Sequence, residues 1–188
     1  MRKLILIRHA ETEPDPTVDA HLWELTDGGR VRSERLAEAL IAYQPVALYA
    51  SPEKKAQQTA TIIGERLGLE VVTAKGLEEH NREGEVGLSK NEFRQKLIEF
   101  FLRPTEIVFG NESAVQAHDR FSLTIERIIH HQHQGNLAVV AHGTVLTLFA
   151  AHWSGADPLE FWNQLGMPAF FVMDLPGWRL TEGITNIE

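Results

Sequence analysis

Two histidines that follow short apolar runs are the first candidates for chemistry in this sequence. His9 follows the apolar run 4–7 and Arg8, and His142 follows the run 137–141. In open α/β sheets, side chains just beyond the carboxyl ends of the strands line the ligand crevice. If the two strands are neighbours, the imidazoles meet. Each histidine alone is also explained by a structural role, but the repeated arrangement favours a functional site.

The composition narrows the kinds of site that are available. The 188 residues include no cysteine, which excludes a thiol nucleophile and thiolate metal centres. A net charge of −8 without a basic stripe disfavours nucleic acid and anionic membranes as partners. No apolar run approaches the roughly 18 residues of a spanning helix, and the apolar start is interrupted too early for a signal peptide. We expect a cytoplasmic protein.

Apolar runs that alternate with helical patterns predict an α/β fold. We expect a three-layer sandwich with a mostly parallel central sheet, helices on both faces, and one domain over residues 1–188. Ser51 and Pro52 are predicted to cap and begin a helix. The predicted strands are 4–7, 46–50, 69–73, 137–141 and 169–175. The predicted helices are 29–43, the segment from Ser51 and Pro52 to Gly68, 91–102, 112–134, 143–153 and 158–165.

The segment 76–91 differs from the rest because charged side chains crowd into one long loop. Such crowding is typical of either a solvated surface or a functional loop. Histidines in or near loops, His80 and His21, are interpreted as solvated or as substrate contacts. The charged members of the loop are Glu78, Glu79, His80, Arg82, Glu83 and Glu85.

Five motifs in order along the chain resemble the histidine phosphatase superfamily, which includes phosphoglycerate mutases and many phosphatases. The matches run from residue 4 to about residue 150, so the resemblance covers most of the chain and implies a phosphoglycerate mutase-like fold. The motifs are Arg8-His9, Leu25-Thr26 with Gly29, Ser51-Pro52 with Gln58-Thr59-Ala60, Leu77 with Glu79, and His142-Gly143.

This resemblance implies a covalent mechanism. His9 matches the histidine that attacks phosphorus and becomes phosphohistidine, and Glu79 matches the acid that protonates the leaving oxygen and later activates water. A neutral imidazole is a good nucleophile near its usual pKa of about 6.5. Arg8 and His142 match the phosphate-pocket positions, and backbone N–H groups after Gly143 add donors. Glu79 would need a raised pKa to hold its proton near neutrality.

Three positions depart from the family pattern. Ala10 replaces a frequent glycine, and Lys55 aligns with the second pocket arginine, keeping the charge but losing the bidentate fork. Asp15 aligns with a frequent asparagine, so either its carboxylate turns away from the phosphate or the alignment slips between Pro14 and Pro16. Because Lys55 is a poorer clamp, we hypothesise that Arg82 contacts the substrate or orients Glu79; the alternative is a surface arginine paired with Glu83 or Glu85.

The sequence favours a metal-independent phosphomonoesterase that hydrolyses a small-molecule phosphate ester and needs no cofactor. Phosphoglycerate mutase-type transfer is the enzymatic alternative, and the short chain leaves little room for mutase insertions. A non-catalytic phospho-ligand binding module is the alternative from another class, although binding alone needs no leaving-group acid. The tract His130-His131-Gln132-His133 is interpreted as a polar helix end rather than a metal site. A homodimer is compatible with the sequence, which leaves the oligomeric state open.

Overall fold

A computed structural model describes residues 1–15, 17–84 and 88–188 and contains one six-stranded sheet. The strand order is β3-β2-β4-β1-β5-β6. The strands β1 to β4 pair in parallel, and β5 runs antiparallel to both of its neighbours. The strands are β1 (Arg2–Arg8), β2 (Pro45–Ala50), β3 (Val71–Thr73), β4 (Asn136–Ala141), β5 (Ala169–Leu175) and β6 (Arg179–Asn186).

Helices cover both faces of the sheet, as predicted. The central strand β1 shows why: Leu4 and Leu6 pack into one core and Ile5 and Ile7 into the other, and all four are fully buried. A strand buried on both faces needs a helical layer on each side. The helices are α1 (Asp27–Leu40), α2 (Lys54–Leu67), α3 (Lys90–Leu102), α4 (Ala114–His131), α5 (Gly143–Ser154) and α6 (Pro158–Gln164).

The two main cores assign the helices to layers. Buried side chains of α1 and α2 pack with Ile5 and Ile7, whereas buried side chains of α4 and α5 pack with Leu4 and Leu6. A third, smaller cluster includes Leu97 and Phe100 of α3, with Trp162 of α6 packed against it. The third cluster thus joins α3 and α6 beside the two main layers.

One local prediction is wrong, and one element was not predicted. Ser51 does not cap α2; the helix begins at Lys54 after Glu53, and the Ser51 hydroxyl instead contacts His142. The last segment, for which no element was predicted, forms the edge strand β6 against β5. Apolar and polar residues alternate only weakly along β6, because its side chains are partly or fully exposed. The sequence pattern therefore does not indicate a strand there.

The register of the sheet sets the position of the two candidate histidines. Arg8 pairs with Ala141 across β1 and β4, so His9 and His142 are the next residues beyond the carboxyl ends of adjacent parallel strands. The His9 amide continues the ladder by donating to the Ala141 carbonyl at 3.1 Å. Within the described parts of the chain, no helix is long and apolar enough to cross a membrane.

Candidate active site

His9 presents one ring nitrogen with a lone pair. Its Nδ1 lies 2.7 Å from the Ala10 carbonyl oxygen. A carbonyl oxygen can only accept, so Nδ1 carries the proton and Nε2 keeps the lone pair. Burial, with smaller contributions from His142, Lys55 and Arg8, lowers the pKa of His9 well below 6.5. The ring is therefore neutral at neutral pH, with Nε2 available as a nucleophile.

His142 lies beside His9 at the start of α5. The ring centroids are 5.1 Å apart at an interplanar angle of 60°. His142 is fully buried; its Nε2 lies 2.8 Å from the Ser51 hydroxyl, and its Nδ1 has no hydrogen-bond partner. Burial also lowers the pKa of His142 well below its usual value. A buried ring nitrogen without a partner is costly, and a proton shared between that nitrogen and a ligand oxygen would relieve the cost.

Arg8 brings a guanidinium to the same two strand ends. One Nη donates to the Leu165 carbonyl, the group lies 5.9 Å from the Trp162 ring, and Nε is buried without a partner. A Cβ at position 143 would lie 3.0 Å from the guanidinium carbon of Arg8, so a larger residue there would push the guanidinium away, and Gly143 permits this close approach. Burial lowers the pKa of Arg8 to about 10, which still leaves it charged at neutral pH.

Glu79 reaches the pocket from the charged loop. Its carboxylate accepts hydrogen bonds from the Thr144 amide at 3.1 Å and the Val145 amide at 3.3 Å, at the N-terminus of α5. The His80 amide donates to it at 2.9 Å. Free amides at a helix start bind anions. The amides that were expected to hold phosphate here hold the Glu79 carboxylate instead.

The raised pKa that proton donation requires of Glu79 is not present in the ligand-free protein. Burial raises the pKa, but the charge of Arg82 and hydrogen bonds from the backbone of His80 and Thr144 outweigh burial and hold the pKa of Glu79 well below its usual range. The sequence indicated that this carboxyl is sensitive to its surroundings but not that its own neighbours stabilise the charged form. Glu79 is ionised until a ligand changes that balance.

Arg82 lies in the pocket rather than on an independent surface. Its Nη2 is 3.6 Å from Oε2 of Glu79, and its guanidinium carbon lies 4.9 Å from the Phe93 ring centroid. The side chain is about a quarter exposed, so it borders the open side of the pocket. Of the two acidic partners considered for a surface pairing, Glu85 lies outside the described residues. We call Arg8, His9, Glu79, Arg82 and His142 together the histidine pocket.

Lys55 borders the histidine pocket, but its charge is already paired. Its Nζ lies 2.7 Å from Oε2 of Glu53 and donates to the Ala20 carbonyl at 2.8 Å. Both side chains of the ion pair are at most a tenth exposed. Glu53 is a pocket residue that sequence reasoning missed. The available signal was a carboxylate two positions before the lysine in the motif segment.

Residues of the second and third motifs hold the strand ends in place. The Thr59 hydroxyl accepts a hydrogen bond from the Ala10 amide at 3.1 Å, and the Gln58 side chain accepts one from the Leu25 amide at 2.9 Å. A Cβ at Gly29 would lie 2.4 Å from the Glu11 carbonyl oxygen, so glycine permits α1 to approach the segment after His9. These motif residues act on the histidine pocket through the backbone.

A second cluster supports the loop that carries Glu79, and we call its members, His80, Glu112 and Arg120, the loop brace. Arg120 donates to the carbonyls of Gly76, Glu78 and Glu79 and to both carboxylate oxygens of Glu112, at 2.6 to 3.2 Å. His80 donates from Nε2 to the Glu112 carbonyl at 3.0 Å and is buried against Phe100. The interpretation of His80 as a solvated side chain is therefore wrong.

The remaining polar candidates lie outside the histidine pocket. Asp15 accepts two hydrogen bonds from Thr17 and is exposed, while its neighbour Pro16 lies outside the described residues. His21 is exposed and pairs with Asp19 at 2.9 Å. His130 and His131 lie at the end of α4. Nowhere in residues 1–15, 17–84 and 88–188 do three or more His, Cys, Asp or Glu side chains group so as to hold a metal ion.

Comparison with known proteins places this arrangement among phosphate-handling enzymes. The model of the histidine phosphatase superfamily (branch 1) matches residues 4–172. Phosphoglycerate mutase-like protein 4 of Arabidopsis thaliana is 32% identical over 191 residues, covering 95% of this chain and 83% of the relative. Phosphoserine phosphatase 1 of Hydrogenobacter thermophilus is 28% identical over 174 residues, covering 87% and 81%.

Solved structures support the same fold. A mycobacterial glucosyl-3-phosphoglycerate phosphatase in complex with inorganic phosphate superimposes with a TM-score of 0.78. The alignment covers 97% of both chains at 24% identity. At 24% identity, this similarity shows the fold and not the substrate.

Proposed function

The chain belongs to branch 1 of the histidine phosphatase superfamily and is an enzyme of the phosphomonoesterase class, and we propose that it works without a metal, through a phosphohistidine on His9. The observation that carries this proposal is the hydrogen bond from His9 Nδ1 to the Ala10 carbonyl, which leaves Nε2 with its lone pair inside a pocket of guanidinium groups. The proposed substrate is a small-molecule phosphate ester.

In the first half-reaction, Nε2 of His9 attacks phosphorus as the bond to the leaving oxygen breaks. Negative charge on the equatorial oxygens is stabilised by Arg8, by Arg82 and by His142, whose Nδ1 has no partner in the protein. The hydrogen bond from Nδ1 to Ala10 disperses the positive charge that develops on the ring. Covalent catalysis of this kind divides a difficult hydrolysis into two easier steps.

Glu79 is the proposed proton donor to the leaving oxygen, and it must gain its proton when substrate binds. Its pKa is low because Arg82 and backbone amides stabilise its charge. A bound phosphate ester competes for those same groups, so the balance shifts towards the carboxylic acid. A monoester whose second pKa is about 6 can bring the proton as its monoanion. We therefore expect kcat/KM to fall above about pH 6.

In the second half-reaction, the Glu79 carboxylate takes a proton from water, and the resulting hydroxide attacks phosphorus. The bond from phosphorus to His9 Nε2 breaks, releasing inorganic phosphate and restoring the neutral ring. Glu79 then holds the proton that the next leaving group needs, which closes the cycle. The same side chain thus acts first as acid and then as base.

A panel of phosphate esters that includes p-nitrophenyl phosphate, assayed in EDTA, tests the proposal. We expect turnover in EDTA, and we expect His9→Ala to abolish it while leaving the circular dichroism spectrum unchanged. Loss of turnover in EDTA that added metal restores would contradict metal independence. Turnover that requires a bisphosphoglycerate primer would indicate a mutase. Binding of inorganic phosphate without turnover of any ester would indicate a binding module.

A further inference from the structure

Glu53 contacts two residues of the histidine pocket, although nothing in the five motifs assigns it a role. Oε1 accepts a hydrogen bond from the Glu79 amide at 2.7 Å and lies 3.5 Å from Nε2 of His142. Oε2 forms the ion pair with Lys55 at 2.7 Å. The Glu53 carboxylate, about a tenth exposed, thus links the start of α2 to both Glu79 and His142.

The contacts of His142 define which of its nitrogens carries the proton. Nε2 faces the Glu53 carboxylate, which can only accept, and the Ser51 hydroxyl, which is able to accept. Nε2 therefore carries the hydrogen of the neutral ring, and the unpartnered Nδ1 carries the lone pair. A lone pair cannot donate to a phosphate oxygen. His142 contributes a hydrogen bond to phosphate through Nδ1 only when the ring takes up a second proton.

An imidazolium buried at this position needs a nearby negative charge. Charges face His142 from each element around it: Arg8 at the end of β1, Glu53 and Lys55 at the start of α2, and Glu79 and Arg82 from the charged loop. The neighbouring His9 ring is neutral. Glu79 is the carboxylate that the proposed mechanism protonates. Glu53 is the carboxylate that takes no part in the proposed proton transfer, and it forms an ion pair with Lys55.

We propose that Glu53 is a positioning residue that holds the Glu79 backbone and serves as the counter-ion of the His142 imidazolium formed when a phosphate ester enters the pocket. The Glu53–Lys55 pair then explains why lysine occupies the position aligned with an arginine. The lysine holds and partly neutralises the counter-ion instead of contacting phosphate. The inference rests on the proposed phosphatase function.

Substitution of Glu53 by glutamine tests the negative charge of this residue separately from its hydrogen bond to the Glu79 backbone. Glutamine keeps an oxygen that can accept from the Glu79 amide, so the loss of charge is the main change. A charge within about 4 to 6 Å shifts a pKa by about one to three units. We expect the alkaline limb of the kcat–pH profile in Glu53→Gln to move to lower pH by at least about one unit. On that limb, each unit lowers kcat about tenfold.

Lys55→Met provides the opposite change. Without the lysine, Glu53 acts on His142 uncompensated, so the alkaline limb moves to higher pH. In the double variant Glu53→Gln/Lys55→Met the limb returns towards that of the wild type, because both charges are gone. If Glu53 and Lys55 have a purely structural role, both single variants lose kcat and the alkaline limb does not move. That result would overturn the inference. If Glu53→Gln does not fold, the direction in which Lys55→Met moves the limb makes the same test.

Nitrogen-15 NMR of ring-labelled histidine, with inorganic phosphate as the ligand, separates this inference from the phosphatase proposal. We expect saturating phosphate at pH 7 to convert one ring, assigned with His142→Asn, to the imidazolium form in the wild type and not in Glu53→Gln. That spectrum would support the inference even if no ester were turned over. Turnover by an enzyme whose His142 ring stays neutral with phosphate bound would overturn the inference and leave the phosphatase proposal standing.

Discussion

Two arginines on either side of the Glu79 loop differ in how completely their hydrogen bonds are satisfied. Arg120, in the loop brace, donates from all three guanidinium nitrogens to three carbonyls and to Glu112. Arg8, in the histidine pocket, donates to one carbonyl and has a buried Nε without a partner. Both side chains are polar and partly enclosed by protein. All three guanidinium nitrogens of Arg120 donate to groups of the protein, whereas Arg8 has a buried donor that a ligand could bind.

This difference extends to part of the surroundings of each arginine. In the histidine pocket, Nε2 of His9 keeps a lone pair and Nδ1 of His142 has no partner. In the loop brace, Glu112 accepts from Arg120 and from the Asn81 amide, although Nδ1 of His80 is also buried without a partner. A buried polar group without a partner lowers stability, and it is retained where a ligand completes it. We therefore expect substitutions in the pocket to change activity and substitutions in the brace to change stability.

The largest effect in the pocket is expected for Glu79→Gln, which keeps the shape of the side chain and removes its proton transfer. We expect kcat/KM for an alkyl phosphate to fall about 100- to 10,000-fold. The loss of kcat/KM should be much smaller for p-nitrophenyl phosphate, whose leaving group needs no proton. Steady-state kinetics on both esters make the comparison. An equal loss on both in the first half-reaction, measured in single turnovers, would contradict the role of leaving-group acid.

In the loop brace we expect a substitution to change stability. Arg120→Met removes the donors of three carbonyls and leaves Glu112 without its main partner, so we expect the free energy of unfolding to fall by about 2 kcal/mol, reduced for partial exposure. Urea titration of the variant and the wild type measures this change. Arg103→Met is the matched control, since Arg103 is an exposed arginine that also contacts two carboxylates. Equal stability of both variants would contradict the contrast between pocket and brace.

Arg82 tests whether the border of the histidine pocket belongs to the site. Arg82→Ala should lower kcat/KM at least about tenfold, since a guanidinium that binds a phosphate or orients Glu79 is lost. Arg82→Lys should recover part of the loss because it keeps the charge without the fork. Stability should fall less than in Arg120→Met, because the Arg82 side chain is partly exposed, its ion pair to Glu79 is 3.6 Å long, and three backbone amides still donate to the Glu79 carboxylate. Unchanged kinetics in Arg82→Ala would remove it from the site.

The smallest effect concerns pH and stability. The folded-state pKa of both His9 and His142 is depressed, so each ring stays neutral while the unfolded chain takes up protons below about pH 6.5. Stability is therefore lost as pH falls through 6.5. His142→Asn removes one such group, and its loss of unfolding free energy between pH 7.5 and 5.5 should be about 1 kcal/mol smaller than that of the wild type. Identical losses in both proteins would contradict neutral burial of His142.

Much of the fold was predictable because its central strands are buried on both faces. Continuous apolar runs such as 4–7 and 137–141 have few other interpretations in a chain with helical patterns between them. The edge strand β6 was not predictable in this way, because its exposed side chains lack a clear period. The start of α2 was predicted wrongly since the serine and proline signals at residues 51 and 52 also fit a turn before the helix, where Ser51 contacts His142.

The sequence predicted which residues form the candidate site better than it predicted their charges and ion pairs. His9 and His142 follow from strand ends, and Glu79 and Arg82 follow from the motif and its spacing. The structure brings these four residues together with Arg8. The low pKa of Glu79 depends first on the charge of Arg82 and also on a hydrogen bond from the Thr144 amide at the start of α5, about 65 residues further along the chain. The partner of Lys55 depends on side-chain direction at a helix start. Neither is readable from residue types alone.

The central claim is that His9 carries the phosphoryl group. The most direct measurement is rapid quenching of the enzyme with a radiolabelled phosphate ester, followed by mapping of the labelled residue. We predict a label that is stable in base and labile in acid, that lies on His9 and that is absent in His9→Ala. Under single-turnover conditions the label should form and decay at rates that account for turnover. Turnover without such a label, or a label on another residue, would contradict the account.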